Sequence, residues 1–291
     1  MAGAEQYDEN NQPPAEFLEA LNGYDEERHV RDAAQAIIVK HLAVEVEGAA
    51  DWLEFWPDLD LDLSGARLRG FSLDGCSIRK ADFSDTHFEG GIFIARTEFR
   101  GTPWGTNGPV GVGGATFTHC KVRGHAVFED VDFHSDASFE GADFTRTFYL
   151  GGAKFAGKCD FSTVTFRGRA EFEGSKFGTG ADFSEATFKE GAIFSSGVIY
   201  DSGAHFEGHE ADFTDATFSG SVDFSGATFQ GVPISADTAP NGTNFTGAQA
   251  RSGSDLSRKW PSGWCDGAEV EPEYIAVIRD ASNDSPGIGN P

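Results

Sequence analysis

The sequence predicts an all-β solenoid with a small α-helical cap at its N-terminal end. A phenylalanine recurs every five or six residues along most of the chain, as in Phe161, Phe166, Phe172, Phe177, Phe183, Phe188 and Phe194. A small residue stands two places before nearly every one of them, and the 291 residues include 37 glycines but only one methionine. A fixed short period is typical of a solenoid, whose core is specified by repetition rather than by varied packing.

The composition is strongly acidic. Its 47 acidic and 22 basic residues give a formal net charge of −25, which argues against direct binding of nucleic acid or of anionic lipid. A protein partner with a basic surface is expected instead. The first ten residues show no cationic region followed by an apolar stretch, and no run approaches the ~20 apolar residues of a membrane span. We therefore expect a soluble, cytoplasmic protein without membrane contact.

Before the repeat, residues 1–14 are polar and predict a disordered N-terminus. Residues 15–57 predict a helical cap followed by an aromatic segment. A short helix is expected to end near Gly23, and a second helix to carry an apolar stripe from Val30 to Leu42. This stripe is expected to cover the open first coil of the solenoid. The same end is expected to be plugged by two tryptophans, Trp52 and Trp56.

The repeat is predicted over residues 58–231. It begins with apolar centres five residues apart, at Leu63, Leu68, Leu73, Ile78, Phe83, Phe88 and Phe93. Four sides of five residues make a coil of about twenty, which stacks Leu63 under Phe83 and Leu68 under Phe88. Farther on, the steps alternate between five and six, and centres spaced by 22 follow at Phe117, Phe139, Phe161 and Phe183. An eleven-residue period could instead indicate a right-handed helical coiled coil, but the density of Gly, Phe and Thr contradicts helix propensity.

Proline and glycine punctuation predicts an external loop over residues 101–114, which interrupts the phenylalanine pattern. Residues 232–280 predict a C-terminal cap, in which the apolar stretch from Tyr274 to Ile278 forms a strand or hairpin that closes the far end. Residues 281–291 predict a disordered tail.

Four cysteines are too few and too scattered for a disulfide framework. Cys76, Cys120 and Cys159 each stand two places before an apolar centre, the position that alanine holds elsewhere. We interpret them as small core residues. Cys265 lies outside the repeat, and the sequence leaves its state undetermined.

Three frames carry a resemblance to a known family: Ala81, Asp82, Phe83; Cys159, Asp160, Phe161; and Ala181, Asp182, Phe183. They resemble the A-(D/N)-(L/F)-x-x signature of pentapeptide-repeat proteins, over roughly residues 58–231. The phenylalanine centres and the tryptophan–proline flanks are similar to those of actinobacterial members. The resemblance implies a right-handed quadrilateral β-helix in which the centre and the small residue two places before it point inward.

Some members of that family resemble B-form DNA in shape and charge and bind DNA gyrase or topoisomerase, which protects the cell from quinolones. A DNA mimic needs negative charge along its whole rod. Here residues 1–62 have a net charge of −13, residues 63–180 of 0, residues 181–231 of −8, and residues 232–291 of −4. Most coils are therefore neutral as whole turns, which favours a different interaction function.

No motif in the sequence predicts catalysis or cofactor binding. A nucleophile elbow, a GK[ST] phosphate loop and a helical histidine pair are all missing from it. His119, Cys120, His125 and His134 include the residue types that bind zinc. In the repeat, however, Cys120 points inward while His119 and His134 point outward, so no metal site is expected.

The sequence therefore predicts a non-enzymatic interaction scaffold that binds a basic protein partner through its acidic C-terminal coils. The alternative is a DNA-mimicking binder of DNA gyrase or topoisomerase that confers quinolone protection. The oligomeric state is left open. The candidate partner-binding residues are Asp182, Glu185, Glu190, Asp201, Glu207, Glu210, Asp212, Asp215, Asp223 and, on the 101–114 loop, Trp104.

Overall fold

The computed structural model describes residues 15–44, 56, 59–101, 114–195, 204–206, 211–213, 216–219, 222–229, 246, 248–251, 264–271 and 274–279. One helix, Ala15–Leu42, precedes the repeat. It runs through Gly23 without interruption, so the predicted division into two helices is wrong. A glycine in a helix interior costs only about 1 kcal/mol relative to alanine, which does not suffice to end a helix of this length.

The helix buries apolar side chains against the repeat near its C-terminal end. Leu42 is fully buried, and Ile38 and Val39 pack against the core, whereas Val30 and Ile37 are 69% and 53% exposed. The predicted apolar stripe therefore covers the first coil with its last turns alone.

Trp56 lies beside the helix rather than inside the first coil. Its ring stacks on His41 with centroids 4.1 Å apart, and its backbone N–H donates to the His41 carbonyl at 2.9 Å. The side chain remains 42% exposed, so Trp56 does not plug the coil as expected. Trp52 lies outside the described residues.

The repeat is a four-sided β-helix, whose sides we number as faces 1 to 4 in chain order within one coil. Face 1 is a sheet of seven strands, Asp60–Asp62, Lys80–Asp82, Ala115–Thr116, Ala137–Ser138, Cys159–Asp160, Ala181–Asp182 and Ala211–Asp212. Face 2 contains the first parts of the two long strands Arg67–Asp74 and His87–Ala95, followed by Lys121–Val122, Asp143–Phe144, Thr165–Phe166, Thr187–Phe188 and Thr217–Phe218.

Face 3 begins with the second parts of the same two long strands. It continues with Ala126–Glu129, Phe148–Gly151, Ala170–Glu171, Ala192–Ile193 and Val222–Asp223. Because the long strands bend across the edge, faces 2 and 3 are joined into one sheet. Face 4 contains Ser77–Ile78, Glu98–Phe99, Asp132–Phe133, Lys154–Phe155, Lys176–Phe177, His205–Phe206, Thr228–Phe229 and Gln249–Arg251.

Neighbouring coils pair in parallel and place equivalent residues directly above one another. Leu68 pairs with Phe88 and Phe144 with Phe166, as the spacing predicts. On face 1 the rings form a continuous stack, with consecutive centroids 4.7 to 4.9 Å apart, through Phe83, Phe117, Phe139, Phe161, Phe183 and Phe213. The centres and the small residues two places before them fill the interior, and Cys76, Cys120 and Cys159 are buried among them.

The step of six residues begins one coil earlier than predicted. Leu73 pairs with Ile94, not with Phe93, because the register shifts beside Gly90 and Gly91. Ile94 is fully buried while Phe93 is 40% exposed, so the assignment of Phe93 as an inward centre is wrong. The change in period therefore precedes the 101–114 loop rather than coinciding with it.

The last coil is extended by a hairpin. Trp264–Glu271 and Tyr274–Arg279 pair antiparallel, and the second of them also pairs with Gln249–Arg251 at the edge of face 4. The Val277 N–H donates to the Ala248 carbonyl at 3.0 Å, and the Val277 side chain is buried. Within the described residues, no helix combines the length and apolar character that a membrane crossing requires.

Several expectations fall on parts of the chain outside the described residues. Residues 1–14 and 281–291, the predicted disordered ends, are among them, as is most of the predicted C-terminal cap over 232–280. Of the predicted 101–114 loop, only Gly101 and Gly114 are described; their backbone N–H groups donate to the carbonyls of Arg79 and Asp136, within the coil wall.

Candidate protein-binding surfaces

Aspartates on face 1 hold the turns that lead to face 2. At each such edge the chain makes a four-residue turn, as where the Ala186 N–H donates to the Phe183 carbonyl at 3.1 Å. The third residue has a positive φ, 56° at Glu185, which is the geometry of a type II turn. The Asp182 carboxylate accepts a hydrogen bond from the Ser184 N–H at 2.9 Å inside this turn.

The same hydrogen bond, from a serine backbone N–H to the carboxylate of the aspartate two residues before it, recurs along the rod. Its donor–acceptor distances lie between 2.8 and 3.0 Å at Asp62 and Ser64, Asp82 and Ser84, Asp160 and Ser162, and Asp223 and Ser225. At the first of these the Ser64 hydroxyl and backbone N–H both donate to Asp62 and hold its pKa below the usual 3.8. These carboxylates therefore fix the turn and carry charge at the surface. The recurring Asp-Phe-Ser triplet was the sequence signal for this role.

Acidic residues collect on face 1 and on the turn that follows it, a surface we call the acidic strip. Two lysines, Lys80 and Lys158, lie within it, and the Lys158 ammonium lies 4.0 Å from the Asp182 carboxylate. Its ten acidic residues are Asp60, Asp62, Asp82, Asp85, Asp136, Glu140, Asp160, Asp182, Glu185 and Asp212. Acidic residues therefore lie on the strip in six of its seven described coils, including coils that are neutral as whole turns; the coil with Thr116 and His119 has none.

Basic residues collect on face 2 and on the turn to face 3, a surface we call the basic strip. Eight exposed cations lie there, Arg67, Arg69, Lys121, Arg123, Arg146, Arg167, Arg169 and Lys189. Three acidic residues, Glu89, Asp143 and Glu190, accompany them. The Arg167 guanidinium donates two hydrogen bonds of 2.7 Å to the Asp143 carboxylate. The net charges of the sequence segments did not reveal either strip, because each segment contributes residues to all four faces. Alignment of the successive coils of 22 residues separates the residues of one face from those of the next.

The structure divides the predicted partner-binding residues between surfaces. Asp182, Glu185 and Asp212 belong to the acidic strip. Glu190 lies at the edge between faces 2 and 3, and Asp223 lies on face 3, so these two are not part of the same patch. Five further candidates lie outside the described residues: Trp104, Asp201, Glu207, Glu210 and Asp215.

The described cysteines and histidines do not form a reactive or metal-binding cluster. Cys120 is fully buried while His119 and His134 are exposed on the outside of the wall. No three His, Cys, Asp or Glu side chains converge on one point in the described part of the chain. Burial raises the pKa of Cys76 to about 11 and raises the pKa of Cys120 and of Cys159, so these thiols are protonated at neutral pH and are weak nucleophiles.

Comparisons with known families bear on the same repeat. Residues 60–93 match a model of pentapeptide repeats in eight copies, and residues 150–197 match a second pentapeptide-repeat model in nine copies. Both matches fall on the stacked coils described above. These two segments of the chain consist of pentapeptide repeats.

One solved structure matches this chain at low identity. It is trypsin-treated QnrB1, described as a plasmid-mediated fluoroquinolone resistance protein; the match has 16% sequence identity and a TM-score of 0.22, and covers 66% of this chain and 91% of that one. Among curated proteins none matches the sequence. In pentapeptide-repeat terms, Asp182 and its equivalents occupy the position just before the central phenylalanine, and Glu185 occupies the positive-φ position of the following turn.

Proposed function

We propose that this pentapeptide-repeat protein is a non-enzymatic scaffold that binds a partner with a basic surface through its acidic strip. The observation that carries the proposal is that, among the described residues, ten acidic residues and two lysines lie along one face and its following turn. Complementary potentials of this kind steer association and suppress wrong partners. A cytoplasmic site of action stays a prediction from the sequence.

The acidic strip is preorganised for binding. Asp62, Asp82, Asp160 and Asp182 are each held by a backbone N–H of the adjoining turn, so little side-chain freedom is lost when a partner docks. Rigid presentation lowers the entropic cost of association. The coils behind them are fixed by parallel pairing along all four faces.

A second candidate, binding of DNA gyrase or topoisomerase by DNA mimicry, is favoured by the column of aspartates along one side of the rod, which is interrupted by Thr116 and Ser138. Charge density weighs against it. B-form DNA carries one negative charge per ~1.7 Å of its axis, or about three per coil at a strand spacing of roughly 4.8 Å. The acidic strip carries on average between one and two acidic residues per coil, and the basic strip offsets them on another side.

The test compares two variants that remove the same charge from different faces. Asp85→Asn, Glu140→Gln and Glu185→Gln together remove three of the ten described negative charges of the acidic strip and keep every aspartate that holds a turn. Glu89→Gln, Glu98→Gln and Glu190→Gln form the matched control. Each full-length protein is used for quantitative affinity capture from a lysate of the source cells. Partners lost with the first variant and retained with the control support the proposal; equal partner sets for the two variants contradict it.

The same proteins separate the two candidates. DNA gyrase supercoiling is measured with each at up to about 10 micromolar, a range that covers weak interfaces. Inhibition by the wild type and the control, but not by the acidic-strip variant, would support mimicry. No inhibition by the wild type would exclude gyrase and leave the scaffold proposal to the capture experiment.

A further inference from the structure

Face 3 differs from the other three faces in the character of its outward side chains. At the position just before the centre, the described residues of faces 1, 2 and 4 are Asp, Ser, Thr, Arg, Lys, His, Glu or Gln. On face 3 the same position holds Ser72, Glu171 and Asp223 in three described coils and large apolar or aromatic residues in the other four, which we call the apolar column: Phe93, Val127, Tyr149 and Ile193. Glu171 lies between Tyr149 and Ile193. Phe93 pairs with Val127 and Val127 with Tyr149, so three of the four are contiguous.

The two edges of face 3 carry opposite charge. The edge toward face 2 presents Arg123, Arg146 and Arg169, all exposed. The edge toward face 4 presents carboxylates, including Glu129 and Glu173, one on either side of Gly151 along the rod. In the coils of Val127, Tyr149 and Glu171 the edge toward face 2 is therefore basic. In the coil of Phe93 the signs are reversed, with Glu89 on the edge toward face 2 and Arg96 on the edge toward face 4.

The Tyr149 hydroxyl is an unpartnered polar atom on this face. The ring lies over Gly151, where an added Cβ would come 2.3 Å from the Tyr149 Oη. The Oη is buried and has no hydrogen-bond partner among the described residues. Burial first, and then the carboxylates of Glu173 and Glu129, raise the pKa of Tyr149 to about 12. The Tyr149 hydroxyl and the neighbouring carboxylates therefore form a surface region that would stabilise a positively charged group of a binding partner.

We propose that face 3 binds face 3 of a second copy of this chain, with the two rods parallel and related by a two-fold axis along the rod direction. Such an axis reverses the strand direction but keeps the order of the coils. Each arginine edge then meets the partner copy's carboxylate edge, and the two apolar columns meet between them. An isologous contact of this kind closes as a dimer.

Charge selects the parallel arrangement. A two-fold axis along the strands would instead make the rods antiparallel and would bring each arginine edge against the other arginine edge. Like charges placed opposite one another in an interface are costly. The proposal goes beyond the acidic-strip function, because it uses a different face, and either can fail without the other.

The first test measures self-association of the full-length chain by sedimentation velocity from about 1 to 100 micromolar, which spans the range of weak interfaces. The wild type is expected to move toward twice its mass of 31.2 kDa. Phe93→Asp with Val127→Asp is expected to weaken dimerisation at least about tenfold. Thr165→Asp with Thr187→Asp, at the equivalent position of face 2, is the control and is expected to dimerise like the wild type. Thermal unfolding by circular dichroism confirms that each variant folds.

The second test addresses the orientation. Glu129→Arg with Glu173→Arg makes both edges basic, and Arg123→Glu with Arg146→Glu makes both edges acidic. Each variant alone is expected to lose dimerisation, and an equimolar mixture of the two to recover it. Added salt is expected to weaken the wild-type dimer, because the edges are exposed and therefore screened.

Three outcomes contradict the proposal. A wild type that stays monomeric through the whole range removes the dimer. A wild-type dimer that is insensitive to the Phe93 and Val127 changes places the contact elsewhere on the chain. A dimer that strengthens with salt, with edge variants that associate like the wild type, overturns the parallel arrangement.

Discussion

Each phenylalanine of the inner wall is held by its neighbours along the rod and across it. The Phe161 ring stacks between Phe139 and Phe183, with centroid distances of 4.7 and 4.9 Å. It also meets the edges of Phe148 and Phe172 at 5.9 and 5.7 Å. Offset stacking and edge-to-face contact are the favoured geometries of aromatic pairs. The side chain therefore contributes through burial and through four specific ring contacts.

Phe161→Ala is expected to lower the free energy of unfolding by about 3 to 5 kcal/mol, since it leaves a cavity in a wall that the neighbouring coils hold in place. Urea unfolding followed by circular dichroism measures the change. Thr165→Ala, on an outward position of the same coil, is the control and is expected to cost no more than about 0.5 kcal/mol. An unchanged midpoint for Phe161→Ala would remove this residue from the core.

Tyr149→Phe is expected to make the protein less sensitive to alkali. The folded pKa of about 12 exceeds the usual 10.0, so between these values the folded chain keeps a proton that the unfolded chain has lost. Stability therefore falls as pH rises from 10 to 12. Removing the hydroxyl removes this contribution, and no described hydrogen bond is lost with it.

The measurement is urea unfolding of wild type and Tyr149→Phe from pH 7 to pH 11.5, at a concentration where both are monomeric. The other tyrosines titrate in both proteins and serve as the internal control. Equal unfolding free energies at pH 7 and a shallower decline for the variant above pH 10 are expected. Curves that stay parallel throughout would mean that the Tyr149 hydroxyl ionises as freely as in the unfolded chain.

At the scale of the coil, two kinds of edge alternate. The edges after faces 1 and 3 are type II turns, as at Thr163, with φ of 56°, and at Gly174, with φ of 66°. Between Phe117 and Phe194 the edges after faces 2 and 4 take one residue more, and several of them contain a glycine that lies against the neighbouring coil, such as Gly124, Gly157 and Gly168. At Gly168 an added Cβ would come 2.5 Å from the Arg146 carbonyl carbon. The choice of residue is therefore limited by backbone conformation at the edges after faces 1 and 3. At the glycine-containing edges after faces 2 and 4 it is limited by the distance between coils.

Gly168→Ala is expected to cost about 1 to 3 kcal/mol, because the methyl group meets backbone that cannot move without separating two coils. The matched control is Gly65→Asn, at a turn where φ is 65° and nothing lies within 4 Å of an added Cβ. Asparagine tolerates this conformation, so we expect a cost below about 1 kcal/mol. Differential scanning calorimetry compares the two. A larger loss for Gly65→Asn would reverse the assignment of the two kinds of edge.

The interior was predictable from the sequence because one inward position repeats with little variation. The Phe93 prediction failed where that regularity gave way. Ile92, Phe93 and Ile94 are all apolar, and the five-residue spacing selects the middle one, while the extra residue at Gly90 and Gly91 turns the outer two inward. Only the pairing with the preceding coil distinguishes these choices, and pairing is not local.

At the scale of the whole molecule, charge is distributed by angle around the rod as well as along it. Residues 63–180 are neutral in total, yet they contribute Asp82 and Asp160 to the acidic strip and Arg123 and Arg167 to the basic strip. The sequence therefore predicted three residues of the acidic strip among its candidates and missed the face to which they belong. A segment of one coil or more contributes residues to all four faces, so its net charge does not predict the charge of any one surface.

Deletion of residues 137–158, one full coil, is expected to yield a folded, shorter rod. Cys159 would take the place of Ala137, with which it already pairs, so the inward pattern continues across the junction. Deletion of residues 137–154 removes nearly as much chain but leaves Phe155 out of step, and it is expected to unfold at much lower urea. The free energies of unfolding of a solenoid depend mainly on contacts between neighbouring repeats. Equal stability of the two deletions would contradict the coil assignment.

Because the two kinds of edge alternate, the two halves of a coil have the same construction. A rotation of half a turn about the rod axis brings one half onto the other. A five-residue side with a type II turn and a six-residue side with a glycine edge occur twice in each coil, as in the steps from Phe161 to Phe172 and from Phe172 to Phe183. Gain or loss of eleven residues would therefore leave the interior intact and send every later surface to the opposite side. In evolution a single insertion or deletion of this length would rotate the later binding surfaces by half a turn about the rod relative to the earlier ones. The packing of the inner wall would not have to change.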